Sequence, residues 1–513
     1  MRQKTAAIIG SGFGGLAAAI RLQAAGFATV VYEQLDKPGG RAYVFEDAGY
    51  TFDAGPTVVT APDDIAELFA LAGRSLRDYV ELVPVRPMYR LFWEDGETFD
   101  YDHAEERLLA EIRRISPRDV DGYRRFYDYA LEVFEEGYVK LCHVPFLRFW
   151  DMARVAPQLL RVKAQVPVYQ TVSRFFEHEK LRQAFSFNSL LIGGNPFKAS
   201  SIYTLIHPLE RRWGVSFPRG GTGALVRALA RLFTDIGGEL RLATGVERIE
   251  TSGGRVRGVR EAGGRRQAFD VVVSNADVTT TYDRLLAGEP LARAPASKLK
   301  RMRHSMSLFV TYFGTRKSYP KLVHHNVMFG ARYRELLDDI FERGVLADDF
   351  SLYVHAPTLT DPSLAPPGGH AFYALSPVPH LGKAKIDWEK TGPAYARRIV
   401  EYLDRRYMPG LAGDIVTQQC FTPQDFESRL GAHQGSAFSL EPTLTQSAWF
   451  RVHNRDPRIG GLYFVGAGTH PGAGIPGVIG SAKATAATVL ADLGLPGTPS
   501  SAPLRAAWEG ALG

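Results

Sequence analysis

Cysteine is scarce in this sequence, and long apolar runs are missing. Only Cys142 and Cys420 occur in 513 residues. Two thiols cannot staple a chain of this size, so a disulfide framework is excluded and a reducing, cytosolic setting fits. No metal-ligand spacing surrounds either thiol, and no metal site is expected. No run of about 18 apolar residues occurs, so no helix is expected to span a bilayer. Short repeats and long low-complexity segments are missing too. Strong charge of one sign is also lacking: 61 Lys and Arg against 55 Asp and Glu leave a net charge of +6. Such a mild excess suits anionic lipid as readily as nucleic acid. No aromatic–basic RNA- or DNA-binding motif is present, so no nucleic-acid partner is expected. The length exceeds what one core serves, so two or three domains are expected.

Glycine, by contrast, is plentiful and placed with purpose. Ala6-Ala7-Ile8-Ile9 is a short apolar run of the kind a buried parallel strand shows. Gly10, Gly12 and Gly15 follow as G-x-G-x-x-G, with Gly14 as an extra glycine. The first permits a tight turn, the second lets a pyrophosphate approach the backbone, and the third lets helix and strand pack closely. A helix beginning near Gly12 would aim its free N–H groups at the phosphates. A second strand, Thr29–Tyr32, ends at Glu33, 33 − 10 = 23 residues after Gly10. An acid at that spacing accepts from ribose hydroxyls. The pattern predicts a dinucleotide site.

Far along the chain, LYFVGAGTHPGAGIPGVIGSAKATAATVLA over 462–491 repeats the order strand, glycine turn, helix. Gly466 and Ala467 lie in its turn. Gly477 and Val478 open its helix, where backbone N–H groups suit the charge-accumulating edge of a flat ring. One cofactor held by both ends of the chain accounts for the pairing. Pro38-Gly39-Gly40-Arg41 and Phe52-Asp53-Ala54-Gly55-Pro56-Thr57 lie between. They resemble the GGR and D-x-G motifs of the flavin-dependent amine oxidase and carotenoid desaturase superfamily, which implies FAD rather than NAD. An arginine beside two glycines offers a fixed fork of donors to a phosphate.

The intervening sequence reads as interruption rather than concatenation. Residues 1–75, 218–280 and 457–495 have α/β character and are expected to form a Rossmann-like FAD-binding domain from discontinuous segments. Within them Ala224–Leu232 reads as a helix, Gly238–Leu242 and Phe269–Ser274 as strands, and Gly253-Gly254 as a hairpin turn. Asn275 follows the last of these strands. Residues 281–456, with 76–103, are expected to form an inserted α+β substrate domain. Residues 104–217 alternate helical patterns with proline breaks and carry many aromatics, as a helical, membrane-facing region would. Residues 496–513 read as a loose tail.

Three stretches resemble the bacterial phytoene desaturases: SLLIGGNPFKASSIYTLIHPLERRWGVSFPRGGTGALV (189–226), GSAFSLEPTLTQSAWFRVHNRD (435–456) and GAGTHPGAGIPGVIGSAKATA (466–486). The resemblance covers nearly the whole chain. It implies FAD-dependent desaturation of phytoene through phytofluene, zeta-carotene and neurosporene to lycopene. It also implies peripheral attachment to the cytoplasmic side of a bacterial membrane, with oxygen or a quinone as electron acceptor. By the same resemblance, the Val246 backbone would meet the adenine. Many members of the wider superfamily carry an acid in the C-terminal turn, where this chain has Gly466-Ala467-Gly468-Thr469. The desaturase branch shares that feature.

An uncharged polyene must be bound by apolar area, at about 25 cal/mol per Å² buried, so a long apolar tunnel is expected. The flavin is the expected redox centre. The cation left by hydride loss is allylic and acidic, so no strong base is obligatory. Side chains that could take the proton are Asp151 and Arg154, spaced i, i+3 on a helix, and His207 and Glu210. Each also reads as a surface or structural group. Phe146, Phe149 and Trp150, interleaved with Lys140, Arg148, Arg154, Arg161 and Lys163, read either as core or as an interfacial membrane element. Other tasks stay open: a three-step or C30 desaturase, a carotene isomerase, or a non-enzymatic isoprenoid-lipid carrier.

Overall fold

The computed structural model describes residues 2–497. All but the first two residues of the expected tail lie outside that range. Five parallel strands form the cofactor-side sheet, in the order Leu462–Phe464, Val271–Ser274, Thr5–Ile9, Ala28–Tyr32, Glu239–Arg241. The residues of the first four are almost wholly apolar and buried, because helices Phe13–Ala24, Thr222–Asp235 and Ile475–Asp492 cover one face, and strands Val246–Ser252 and Arg255–Glu261 with residues 278–299 cover the other. Among the described residues, the last strand is thus separated from the first by one strand. The helices that follow these two strands, Phe13–Ala24 and Ile475–Asp492, pack against each other. Neighbours enter on opposite sides of Thr5–Ile9, which makes its carboxyl end a topological switch point, the usual place for a ligand in such sheets. Gly10, Glu33, Asn275 and Gly466 all lie just past the carboxyl ends of these strands.

A second, seven-stranded sheet is built mainly from residues 307–421. Strands Tyr89–Trp93 and Thr98–Tyr101 extend it, the first pairing in parallel with His325–Phe329. Helix Trp388–Arg406 covers one face through Trp388, Tyr395, Ile399 and Leu403. The opposite face looks toward the helices of residues 105–213. The expected hairpin at Gly253-Gly254 joins Val246–Ser252 to Arg255–Glu261. The strand expected at Phe269 starts at Val271.

One hairpin was not legible in advance. Val44–Asp47 pairs with Tyr50–Asp53 through Ala48-Gly49. Both turn residues have positive φ, 49° and 81°, the conformation of a two-residue type I′ turn. Ala-Gly is a weaker signal for that turn than Asn-Gly, so the sequence hid it. The hairpin carries Asp53 back to the helix Thr222–Asp235, whose first N–H groups it caps at 2.9 Å (Thr222) and 3.1 Å (Gly223).

The front turn is tight enough to test. A Cβ on Gly15 would lie 2.0 Å from the Gly10 carbonyl oxygen, so the helix could not seat on the first strand. Gly15→Ala is expected to cost about 3 kcal/mol, the upper range for overpacking, and to lower flavin content in parallel. A urea-denaturation midpoint and the flavin-to-protein absorbance ratio, both unchanged from the parent, would refute this.

Candidate active site

Asn275 stands where the two ends of the chain meet. Its amide lies against Gly10, Gly12 and Gly14 of the front turn and Gly466 of the rear turn. A Cβ on Gly14 would fall 2.8 Å from its Oδ1, and one on Gly466 2.5 Å from the same atom. Gly466 also has φ of 99°. Gly15 and Gly466 therefore serve close packing. Gly10, Gly12, Gly14, Gly39 and Gly40 line the cavity itself.

Glu33 is buried at the end of its strand. One carboxylate oxygen accepts from the Ser11 N–H at 3.0 Å and the Ser11 hydroxyl at 2.7 Å; the other accepts from the Leu35 N–H at 2.9 Å. These bonds clamp the glycine turn to the strand end and leave Glu33 on the cavity wall, which Val246 also lines. Arg41 lies in the turn Gly40–Ala42. It has no ion-pair partner among the described residues, and its Nε is buried without a hydrogen-bond acceptor. Burial pulls its guanidinium below the usual range, and the Asp277 charge opposes that. A partly buried guanidinium without an ion-pair partner among the described residues, on the same cavity wall as the glycine turn, fits a phosphate-bearing ligand.

Gly55, Pro56 and Thr57 continue the wall. A Cβ on Gly55 would lie 2.4 Å from the Arg41 carbonyl, so this segment packs directly on the arginine turn. Ala467, Gly477 and Val478 close the far side of the cradle. Gly477 packs beneath Gly472, whose carbonyl would be 2.8 Å from an added Cβ.

Two supports were not foreseen. Arg451 is buried beneath the rear turn and donates to the carbonyls of Gln446 (3.0 Å), Leu440 (3.1 Å) and Ala467 (2.6 Å). Asp277 lines the cavity and accepts from the Thr279 and Thr280 N–H groups at 2.9 and 3.2 Å. Neither belongs to a glycine motif, and no local spacing announces them.

From this cradle one cavity of about 520 Å³ continues between the second sheet and the helical region. Its walls there are apolar, with Phe187, Leu190, Met306, Leu308 and Phe329 among them, and Tyr333 lies along it. Glu210 is the buried acid on that wall. It accepts from the Tyr89 hydroxyl at 2.7 Å and the Asn188 amide at 2.9 Å, and burial pushes its pKa up to about 8.

The other proton-handling candidates do not reach the cavity. Asp151 lies in the first turn of helix Phe149–Arg161. Its Oδ2 is taken by the Leu147 and Arg148 N–H groups at 3.1 and 2.8 Å. The acid is spent capping its own helix. Arg154, one turn on, is exposed. His207 is enclosed by Phe126, Phe185 and Tyr127; its Nδ1 pairs with the Tyr101 hydroxyl at 2.5 Å, and burial holds it well below its ordinary pKa. It is a core histidine.

The membrane cluster also divides. Phe146 is 3% exposed and packs edge-on to His470 at 4.8 Å, so it is core. Phe149 and Trp150 are 56% and 74% exposed. Among the described residues no helix is long and apolar enough to cross a membrane.

The sequence pattern of the flavin containing amine oxidoreductases matches residues 13–490. The chain belongs to that family. Two curated relatives are more specific. A lycopene-forming phytoene desaturase of Pseudescherichia vulneris is 60% identical over 490 residues, 96% of this chain and 100% of that one. A neurosporene-forming phytoene desaturase of Rhodobacter capsulatus is 44% identical over 502 residues, 97% of this chain and 96% of that one. Among solved structures, putrescine oxidase bound to putrescine superposes with a TM-score of 0.60 at 15% identity, covering 96% of this chain and 99% of that one. That likeness speaks for the fold. As a member of this family, the protein is an FAD-dependent oxidoreductase, and the cradle fits FAD. The front turn and Arg41 would hold the pyrophosphate, Glu33 the ribose, and Gly477 and Val478 the ring.

The raised Glu210 pKa has a thermodynamic consequence. Between its ordinary value of 4.5 and about 8, the unfolded chain releases this proton while the folded protein keeps it. Stability therefore falls as pH rises through that window. Glu210→Gln keeps the shape and removes the titration. Relative to the parent, the variant is expected to gain roughly 2–4 kcal/mol between pH 5 and pH 8. Parallel stability–pH curves for parent and variant in urea denaturation would contradict this.

Proposed function

We propose that the protein desaturates phytoene in successive steps, through phytofluene, zeta-carotene and neurosporene, to lycopene. The carrying observation is the single cavity that joins an FAD cradle to a long apolar wall. An uncharged polyene has no polar handle, and such a wall binds it through buried area. Relatives named lycopene-forming share 60%, 59% and 54% identity with this chain, whereas those named neurosporene-forming share 44% and 43%. That order favours four steps over three. The intact cradle, with the Arg41 side chain on its wall free of an ion-pair partner among the described residues, disfavours a carrier without flavin.

FAD, when bound, supplies the hydride acceptor. The chain's own residues align the polyene against the cradle and keep water out. Glu210, the buried acid on the wall, can hold a proton at its carboxylate. Asp151 and Arg154 are assigned no part in that step. Oxygen or a membrane quinone serves as the terminal acceptor.

The helix Phe149–Arg161 has no fully buried residue. Phe149, Trp150 and Leu160 project from it among Arg148, Arg154 and Arg161. Aromatic and cationic side chains together suit the headgroup zone of an anionic bilayer. This face delivers the protein to the membrane in which its substrate dissolves, on the cytoplasmic side.

The decisive experiment incubates FAD-loaded protein anaerobically with phytoene liposomes and a quinone, followed by pigment analysis. Lycopene is expected, with the three intermediates appearing earlier. Accumulation of neurosporene would overturn the four-step reading, and colourless lipid both here and in a parallel incubation under air would overturn the desaturase reading. In vesicle flotation, Phe149→Ser with Trp150→Ser is expected to lower binding to anionic vesicles at least tenfold. Retained binding would place the membrane face elsewhere.

A further inference from the structure

Beside the cavity, but not on its wall, three histidines converge. His325 lies on strand His325–Phe329 and faces His355 across an antiparallel pair. Their rings stack at 5.4 Å. His324 precedes the strand. The Asn326 side chain accepts from the Val323 N–H at 2.9 Å and donates to the Val323 carbonyl at 2.6 Å. That clamp folds the chain before the strand, and His324 turns in to meet its neighbours. All three are buried: 4%, 0% and 0% exposed. One ring nitrogen from each lies within 4.8 Å of the other two.

The outer nitrogens are already engaged. His324 Nδ1 meets the Thr360 hydroxyl at 2.6 Å, and His325 Nδ1 meets the Tyr353 hydroxyl at 2.6 Å. Donation from Nδ1 leaves the Nε2 lone pair free and fixes the ring. His324 Nε2 and His355 Nε2 are 3.0 Å apart, and His325 Nε2 is buried without a partner. Two hydroxyls behind two rings, with one nitrogen of each of the three rings gathered within 4.8 Å of the others, is the kind of outer support that imidazole ligands of a metal receive.

We propose that His324, His325 and His355 bind one divalent first-row transition-metal ion, of which zinc is the representative. Tetrahedral zinc–imidazole bonds of about 2.0–2.1 Å place ligand nitrogens about 3.3 Å apart. The His324–His355 pair is already near that spacing, and the His325 nitrogen, within 4.8 Å of both, would close in by ring rotation. The three gathered ligand atoms are all imidazole nitrogens. Hard oxygen-seeking cations such as magnesium and calcium are therefore excluded, and imidazole-seeking ions fit. A fourth position is left for water or hydroxide, which offsets the ion's charge.

The site connects to the cofactor cradle. Tyr353, behind His325, is hydrogen-bonded to Thr57 at 3.0 Å, and Thr57 to Tyr373 at 2.7 Å. Thr57, Tyr353 and Tyr373 all line the cavity. An ion at the trio thus fixes the strand pair that forms this wall.

The test uses FAD-loaded full-length protein, stripped with chelator, incubated with Zn²⁺ or Co²⁺ and desalted. About one equivalent of metal by elemental analysis is expected, with the visible bands of tetrahedral Co²⁺. His325→Gln and His355→Gln are each expected to weaken binding at least tenfold with FAD content unchanged. Tyr353→Phe, which spares all three ligands, is expected to weaken it about tenfold through loss of the outer hydrogen bond. Less than a tenth of an equivalent on the parent protein would overturn the proposal and leave a hydrogen-bonded trio of neutral histidines. Metal retained undiminished by His325→Gln and His355→Gln would place the ion elsewhere and overturn it equally.

Discussion

Contact between Gly14, Asn275 and Gly466 sets the geometry on which the cofactor cradle depends. Three segments far apart in sequence approach until only hydrogen atoms and one amide separate them. Any side chain at either glycine would drive the turns apart, and the pyrophosphate and ring ends of the cradle would no longer share one ligand. The sheet makes this approach unavoidable. Val271–Ser274 lies between the first and last strands, so the residue that leaves it must sit between the turns that leave its neighbours. Glu33 and Arg451 then hold the two turns from outside, one through Ser11 and the other through Ala467.

The parts legible in the sequence were those encoded by local spacing. Gly10, Gly12, Gly15 and Glu33 announce themselves because one βαβ unit fixes their separation. Arg41 was legible because glycines flank it. Arg451 and Asp277 were not, since each acts through backbone groups that only tertiary packing brings near. Asp151 misled for a related reason. Its helix exists, but an acid in the first turn of a helix serves that helix's own N–H groups as well as any substrate. Phe146 and Phe149 are three residues apart and have opposite fates, one under His470 and one in solvent. Composition could not separate them, because proline and irregular turns around 145–148 break the periodicity that would have assigned faces. The histidine trio was equally hidden. His325 and His355 are 355 − 325 = 30 residues apart, and only the register of two strands makes them neighbours.

The continuous cavity explains why this scaffold suits an apolar substrate. Polar groups concentrate in the cradle, where a charged cofactor can satisfy them. Beyond it the wall is nearly all hydrocarbon and aromatic ring, apart from Glu210 and a few tyrosines. Holding Glu210 neutral there is consistent with the wall: a buried carboxylate without a cation is costly, so it keeps its proton.

The position of the last strand has a bearing on how the protein is made. Leu462–Phe464 and the helix Ile475–Asp492 complete a sheet whose first strand ends at Ile9, so 462 − 9 = 453 residues separate partners in one nucleotide fold. At ribosomal rates of about 5–20 residues per second, the first strand waits roughly 20–90 s for its completion. Throughout synthesis of residues 10–461 the glycine turn exists without its opposite wall. The cradle is therefore complete only when nearly the whole chain has been made.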